Sequence, residues 1–177
     1  MALREILTEP NKLLRAKSLA VEKVDEDLQK LMNDMLETMY AFPGIGLAAI
    51  QVGVAKRVIV LDIGWRNESE STNNEKQVVR KNPMHFVNPE IITKSTNNST
   101  YEEGCLSVPG QFAEIERPDK CHIKYLNYYG QPKELVAEGM LATCIQHEMD
   151  HLEGILFIDY LSKLKKSMIL KKLTKQK

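Results

Sequence analysis

The chain has 177 residues, which suits one domain with a substantial core, and its 24 basic residues balance its 24 acidic ones. A net charge of zero gives no overall attraction to a polyanionic partner. Three cysteines, an odd number, argue against a disulfide framework, and no apolar run approaches the ~20 residues of a membrane-spanning helix. Because the first residues also lack a signal-peptide core, we expect one cytoplasmic domain over residues 1–177.

The first clear helix is predicted from about Asp25 to Ala41. Asp25 is a suitable N-cap, and Pro43 followed by Gly44 ends the helix. The apolar positions recur at the i, i+3, i+4, i+7 spacing of one helix face, so we assign them, methionines included, to the core. These positions are Leu28, Leu31, Met32, Met35, Leu36 and Met39.

A glycine-rich segment, GIGLAAIQVG, occupies residues 44–53. Its glycine spacing is superficially that of a dinucleotide-binding loop, but that loop follows a strand and opens a helix. Here the order is reversed, because a helix precedes the segment and a predicted strand, 57–62, follows it. The small residues leave the backbone open to close approach. Gln51 is the polar exception, and it is either a hydrogen-bonded core residue in a tight turn or a functional amide.

Residues 64–84 are polar and without a convincing period, so we predict a long surface loop there. Strand character returns at 85–87 and 91–93. A further strand at 120–127 is followed by a turn at 129–132, which predicts a hairpin leading to 135–137.

A cysteine flanked by glycine lies in the sequence EEGCLS at residues 102–107. As a thiolate, Cys105 is a candidate metal ligand whose neighbouring backbone is open to close approach. The alternative is an inert buried thiol, which is the role that we assign to Cys121.

The sequence QHEMDH at residues 146–151 places two histidines on one face of a predicted helix, one turn apart. Both imidazoles can reach one cation, and Glu148 can sit beside a water on that cation. A third ligand is still needed. Downstream, a metalloprotease pattern would require a histidine where this chain has Phe157. The third ligand is therefore expected upstream, and Cys105 completes the set with His147 and His151.

The C-terminal segment, 162–177, holds seven lysines and no acidic residue, so the neutral chain divides into a basic tail of +7 and a body of −7. Apolar residues among the lysines are compatible with a weakly amphipathic helix. One interpretation is a solvated helix packed loosely on the body. The other is a contact surface for a partner.

Together, GIGLAAIQ at 44–51, EGCLS at 103–107 and QHEMDH at 146–151 resemble, in order and spacing, the three signature motifs of the peptide deformylase family. The likeness extends from Pro10 through the C-terminal helix. It implies an α+β fold, in which antiparallel β-sheets pack around a central metal-binding helix, with one helix near each terminus. It also implies a metallohydrolase that removes the formyl group from the N-terminal formylmethionine of new polypeptides and releases formate.

The resemblance implies a role for each motif residue. Cys105, His147 and His151 are expected to bind the metal, and Glu148 to act as general base and acid. The Gln51 side-chain amide and the Leu106 backbone N–H are the expected oxyanion donors. We also expect Asp150 to brace the site by contacting Arg117. The candidate substrate contacts are Ile45, Gly46, Glu103, Gly104, Met140 and Cys144.

The family implies Fe(II) as the native metal, with Zn(II), Ni(II) or Co(II) as substitutes, although the ligand types alone suggest zinc. Family members with a basic tail suggest contact with ribosomal RNA near the peptide exit. The family often has an arginine where this chain has Phe112, which bears on preference beyond the methionine.

The motif residues also allow two alternative functions. A zincin-like metallopeptidase is opposed by the missing downstream ligand and by the Cys105 motif. A catalytically silent ribosome-associated protein is opposed by the presence of Glu148, Cys105 and Gln51.

Overall fold

The computed structural model describes residues 2–64 and 81–175, and within these ranges it contains seven strands and three α-helices. Most of the surface loop predicted at 64–84 lies outside the described residues, as do the last two residues of the basic tail. In chain order the elements are α1 (Glu26–Ala41), β1 (Gly46–Ala48), β2 (Val58–Leu61), β3 (Met84–Lys94), β4 (Asn98–Cys105), β5 (Val108–Pro118), β6 (Lys120–Leu126), β7 (Pro132–Glu138), α2 (Gly139–Leu152) and α3 (Lys163–Lys175).

All of the observed strand pairing in the two sheets is antiparallel. Five strands form one sheet in the order β1-β2-β3-β6-β7, and β4 and β5 form a separate two-stranded hairpin. This confirms the predicted α+β class, with antiparallel sheets around the helix α2. None of the described helices has the length and apolar character needed to cross a membrane.

Strand β2 explains how the large sheet is covered. All four of its residues are fully buried, and they alternate between two core clusters. Val58 and Val60 pack with α1, whereas Ile59 and Leu61 pack with α2. A strand that is buried on both faces needs apolar side chains at every position, and the sequence V-I-V-L of β2 provides them. The sheet is therefore sandwiched between α1 and the metal-binding helix.

Helix α1 forms as its sequence predicts. The Asp25 side chain accepts a hydrogen bond from the Leu28 backbone N–H at 2.9 Å, which caps the helix. The predicted apolar face is buried, apart from Leu36, which is partly buried. The methionines in it are core residues, as predicted.

The hairpin β4–β5 and the strand β1 were not predicted. Cys105 pairs with Val108, so the two strands are joined by the two-residue turn Leu106–Ser107. Helix α3 then packs on this hairpin. Ile169 and Leu173 are 9% and 6% exposed and share a cluster with β5 residues, so the helix is docked rather than loosely attached.

Candidate metal centre

Helix α2 brings its polar residues into the core. His147 and His151 are one turn apart on one face, with ring centroids 5.2 Å apart, and both are buried. Burial of two imidazoles beside a carboxylate is costly unless they find partners. The contacts of these side chains therefore indicate what the site does.

The third ligand candidate comes from the end of β4. One donor atom each from Cys105, His147 and His151 lies within 4.8 Å of the others, and the Cys105 Sγ is 3.4 Å from His151 Nε2. Ligands of a tetrahedral metal with Zn–N and Zn–S bonds stand roughly 3.3–3.8 Å apart. A small side-chain adjustment would bring all three onto one ion. A thiolate and two imidazoles also form a chemically suitable donor set for a divalent transition metal.

His147 is held by a buried ion network. Its Nδ1 is 2.8 Å from Glu103 Oε1, and the Glu103 carboxylate accepts bonds from Arg117 Nε and Nη2 at 2.7 and 2.9 Å. Arg117 also donates from Nη1 to Asp150 Oδ2 at 2.8 Å. A carboxylate on Nδ1 fixes the tautomer in which Nε2 is free for a metal.

The predicted contact between Asp150 and Arg117 is therefore present. Glu103, a predicted substrate contact, uses its side chain elsewhere. Both of its oxygens are engaged by Arg117 and His147, and the residue is 6% exposed, so its side chain faces the ligand rather than a peptide groove.

The two imidazoles have opposite pKa shifts. Burial lowers the pKa of His147, but hydrogen bonds to Cys105 and Glu103 outweigh it and hold that pKa well above the usual value. Burial and the charge on His147 hold the pKa of His151 well below it. A ligating imidazole is neutral, so a metal at Nε2 of His147 would displace the proton that the contacts with Cys105 and Glu103 favour.

Glu148 stands beside the ligands. Its Oε1 is 3.9 Å from His147 Nε2, while its Oε2 is buried and has no hydrogen-bond partner in the described part of the chain. Burial raises the pKa of Glu148 to about 7. A carboxyl group with that pKa can both accept and donate a proton near neutral pH.

Gln51 is oriented by contacts on both sides of its amide. Its Oε1 accepts from the Ala48 backbone N–H at 2.9 Å, which directs Nε2 towards Ser107 Oγ at 3.0 Å and Cys105 Sγ at 3.4 Å. Gln51 thus points its N–H donors towards the ligand cysteine, and Leu106 follows that cysteine in the turn. The part played by Ser107 was missed, although it lies in the quoted motif, because a serine after a cysteine gives no periodic signal.

Strand β1 is an edge strand of the large sheet, and no further strand pairs with its outer side in the part of the chain that the structure describes. The Asp62 backbone N–H donates to the Ile45 carbonyl at 2.8 Å, so in an antiparallel ladder the polar groups of the next residue, Gly46, point away from β2. A Cβ on Gly46 would lie 2.7 Å from Glu148 Oε1 and 2.8 Å from the Leu61 side chain. The bare Cα of Gly46 therefore makes room for Glu148, besides leaving an edge that a peptide can reach.

The other predicted substrate contacts differ in exposure. Ile45 is 50% exposed and Met140 44% exposed. Cys144 is buried, and burial raises the pKa of its thiol to about 12, so it remains an uncharged thiol. Gly104 is covered by the ring of Phe112, its cross-strand partner, which is itself 64% exposed.

Comparisons with known proteins agree with one another. A family model described as polypeptide deformylase matches residues 3–167. A protein named peptide deformylase from Pelagibacter ubique is 62% identical over 177 residues, which cover 100% of this chain and 96% of that protein.

Solved structures show the same fold. The peptide deformylase from Ehrlichia chaffeensis in complex with actinonin superposes with a TM-score of 0.89 at 42% identity, covering 100% of this chain and 99% of that chain. A Met-Ala-Ser-bound class I type b peptide deformylase from Acinetobacter baumannii gives a TM-score of 0.79 at 34% identity, covering 90% of this chain and 99% of that chain.

Proposed function

The chain belongs to the polypeptide deformylase family, and from this premise we propose how its own residues carry out the reaction. The protein is a metal-dependent hydrolase that removes the formyl group from the N-terminal formylmethionine of nascent polypeptides and releases formate. Neither internal peptide cleavage nor a silent binding role is favoured. We propose that residues 1–177 form a single catalytic domain that acts in the cytoplasm.

One observation carries the residue assignment. Donor atoms of Cys105, His147 and His151 converge within 4.8 Å, with Glu148 Oε1 3.9 Å from a ligand nitrogen. We assign the three residues as ligands of one divalent metal ion. When bound, the ion would act as a Lewis acid and lower the pKa of water so that hydroxide is available near neutral pH.

Glu148 is the group that moves protons. Its unpartnered Oε2 is available to take a proton from the attacking water. The same carboxyl group then delivers a proton to the departing amine nitrogen, which a pKa of about 7 permits in both directions. Because Gly46 has no Cβ, its backbone leaves space for this carboxylate.

The oxyanion that forms at the formyl carbonyl needs donors held before reaction begins. Gln51 Nε2 is one candidate, since Ala48 and Ser107 fix its direction, and the Leu106 backbone N–H is the other. Loss of one such donor typically costs ~2.7–4 kcal/mol of barrier.

The open edge of β1 suits an extended substrate. The outward N–H and C=O of Gly46 can pair with a peptide main chain, which reads little sequence. Ile45, Met140 and Cys144 then supply apolar walls for the methionine side chain. The Met-Ala-Ser peptide bound to the Acinetobacter baumannii relative is consistent with a product of this kind.

Formate release from formyl-Met-Ala-Ser tests the assignment. We expect metal-loaded wild type to release formate and Met-Ala-Ser, and Glu148→Gln to lose roughly 10²–10⁴-fold in kcat while keeping its metal. Glu153→Gln, a half-exposed glutamate at the end of the same helix, is the matched control and should be unaffected. Absence of formate from metal-loaded wild type, or cleavage of internal peptide bonds instead, would contradict the function.

We further propose Fe(II) as the native metal, because the family resemblance implies it, although the ligand types alone suggest zinc. Protein loaded anaerobically with Fe(II) should turn over faster than the Zn(II) form and lose activity in air, whereas the Zn(II) form should not. Full activity of the iron-loaded protein after prolonged aerobic storage would contradict this assignment.

For a partner beyond the nascent peptide, we propose the ribosome, through the exposed lysines of α3. Truncation is a poor test because Ile169 and Leu173 are buried against the hairpin. Charge reversal at Lys165, Lys171 and Lys172 should instead weaken sedimentation with ribosomes and leave turnover of formyl-Met-Ala-Ser unchanged.

The control for that experiment reverses three exposed lysines on the body, Lys23, Lys124 and Lys133. Equal loss of ribosome binding in both triple variants would indicate a general charge effect and contradict a role for α3.

A further inference from the structure

The ion network behind His147 continues past Asp150 to a tyrosine outside the three motifs. Tyr160 ends the short 3-10 helix Phe157–Tyr160, which follows α2. Its hydroxyl donates to Asp150 Oδ2 at 2.7 Å, the same oxygen that accepts from Arg117 Nη1 at 2.8 Å. The guanidinium carbon also lies 4.9 Å from the centroid of the Tyr160 ring. Tyr160 therefore contacts both members of the Asp150–Arg117 pair.

Arg117 relays these contacts to the ligand. Its side chain is 4% exposed and binds both oxygens of Glu103, and Glu103 Oε1 is the partner of His147 Nδ1. A planar guanidinium held by two carboxylates has little freedom to rotate. Asp150 holds one end of the Arg117 guanidinium, and the Tyr160 hydroxyl in turn holds Asp150 by a hydrogen bond.

The surroundings of Tyr160 separate this polar role from packing. The residue is 52% exposed and lines a cleft of about 590 Å³ with Asp150 and Glu153, whereas its neighbours Phe157 and Ile158 are buried. Partial burial and the bond to Asp150 raise the pKa of Tyr160 to about 12, so the phenol keeps the proton that it donates. Removal of the hydroxyl therefore changes the network with little change to the core.

We propose that Tyr160 is a positioning residue of the metal centre, which holds Asp150 and Arg117 so that Glu103 keeps His147 Nε2 directed at the metal. This inference rests on the ligand set proposed above. Removing a residue that hydrogen-bonds a metal ligand typically costs 10–100-fold in metal affinity or activity, and Tyr160 acts through further contacts, so its effect is smaller.

The test measures how fast the metal leaves. Wild type, Tyr160→Phe, Tyr160→Leu and the control Tyr129→Phe, a 74% exposed tyrosine, are loaded with Co(II) and mixed with excess chelator. We expect Co(II) release about 3-fold faster for Tyr160→Phe, which keeps the ring over Arg117, and about 10-fold faster for Tyr160→Leu, which loses both contacts. The visible Co(II) spectrum should shift in the same order, and kcat should fall while KM for formyl-Met-Ala-Ser stays constant.

A variant that is destabilised outside the ion network keeps the test specific. Ile123→Ala, in the core of the large sheet, lowers the melting temperature without touching the network. Release rates within twofold of wild type for both Tyr160 variants would overturn the inference. So would an equal acceleration in Ile123→Ala. If wild type binds no Co(II), the ligand set itself fails, which is a different result from unchanged release in Tyr160 variants of a metal-binding protein.

Discussion

Two sides of the metal centre are built in opposite ways. On the supporting side, Glu103, Arg117 and Asp150 form a buried network of charges in which each contact restricts the next. On the proposed substrate side, Gly46 and Ile45 present a strand edge with few side chains. The first region orients His147 through hydrogen bonds between charged groups, and the second leaves backbone N–H and C=O groups available to pair with a peptide. Substitutions on the supporting side should therefore affect stability and metal binding, and those on the substrate side should affect turnover alone.

The largest expected effect is at Arg117. Arg117→Ala leaves the buried carboxylate of Glu103 without its cation, which typically costs about 3–5 kcal/mol of unfolding free energy. Urea unfolding and metal content should both report the loss. Arg117→Lys should not restore them, because a lysine cannot make the bidentate bond. Arg57→Ala, which removes a more exposed pair with Glu153, is the control and should cost at most about 1 kcal/mol.

On the substrate side, Gly46→Ala should reduce kcat by on the order of 10²-fold, because its Cβ would displace the Glu148 carboxylate. Metal content should be unchanged. Gly53→Ala is the control, since none of the described residues lies within 4 Å of where its Cβ would be, although its φ of +85° makes the substitution costly to stability. Unchanged kcat in Gly46→Ala would show that Glu148 can move without harm.

Some elements of the fold could be predicted from the sequence, and others could not. Helix α1, strand β2 and the histidine pair follow from local periodicity, and each is present as predicted. The hairpin β4–β5 was missed because β4, NSTYEEGC, is mostly polar and lacks the alternating apolar residues that mark a strand. Its inner residues are covered by α2 and α3, which local sequence does not reveal.

Within the site, the sequence predicted the grouping of the three candidate ligands and the contact between Asp150 and Arg117, but it did not predict the side-chain partners of Glu103. The sequence placed Glu103 with the substrate, whereas its partners lie 14 and 44 positions away, at Arg117 and His147. Ser107 and Tyr160 were overlooked for the same reason. Long-range hydrogen bonds leave no spacing rule in the chain, whereas two ligands on one helix turn do.

Asp34, in helix α1, tests whether a buried carboxylate stabilises the fold there as Glu103 does beside His147. Asp34 is 2% exposed and accepts from the Ala2 backbone N–H and from Arg4. Burial raises the pKa of Asp34, but these bonds outweigh it and leave the pKa lowered. Its contribution is therefore present above the unfolded-state pKa of about 3.9 and is lost as pH falls through the folded value.

Asp34→Asn should cost about 1–3 kcal/mol at pH 7 and flatten the loss of stability below about pH 4. Urea unfolding between pH 3 and 7 measures both. Glu90→Gln, an exposed carboxylate, is the control. If the free energy of unfolding of Asp34→Asn falls with pH as steeply as that of wild type, Asp34 does not contribute to stability in acid.

The smallest effect is expected at Phe112, at the outer end of the substrate side. The side chain is 64% exposed, so Phe112→Ala should change the unfolding free energy by no more than about 0.5 kcal/mol and leave metal content unchanged. Its ring covers Gly104, next to the ligand Cys105, so kcat/KM should change by a few-fold and by an amount that depends on the residues after methionine. Formyl-Met-Ala-Ser, formyl-Met-Leu-Ser and formyl-Met-Lys-Ser measure this dependence. Identical ratios in wild type and Phe112→Ala would place the ring outside the peptide's path. A loss of metal would instead mean that the substrate side also supports Cys105, and the division between the two sides would fail at that strand.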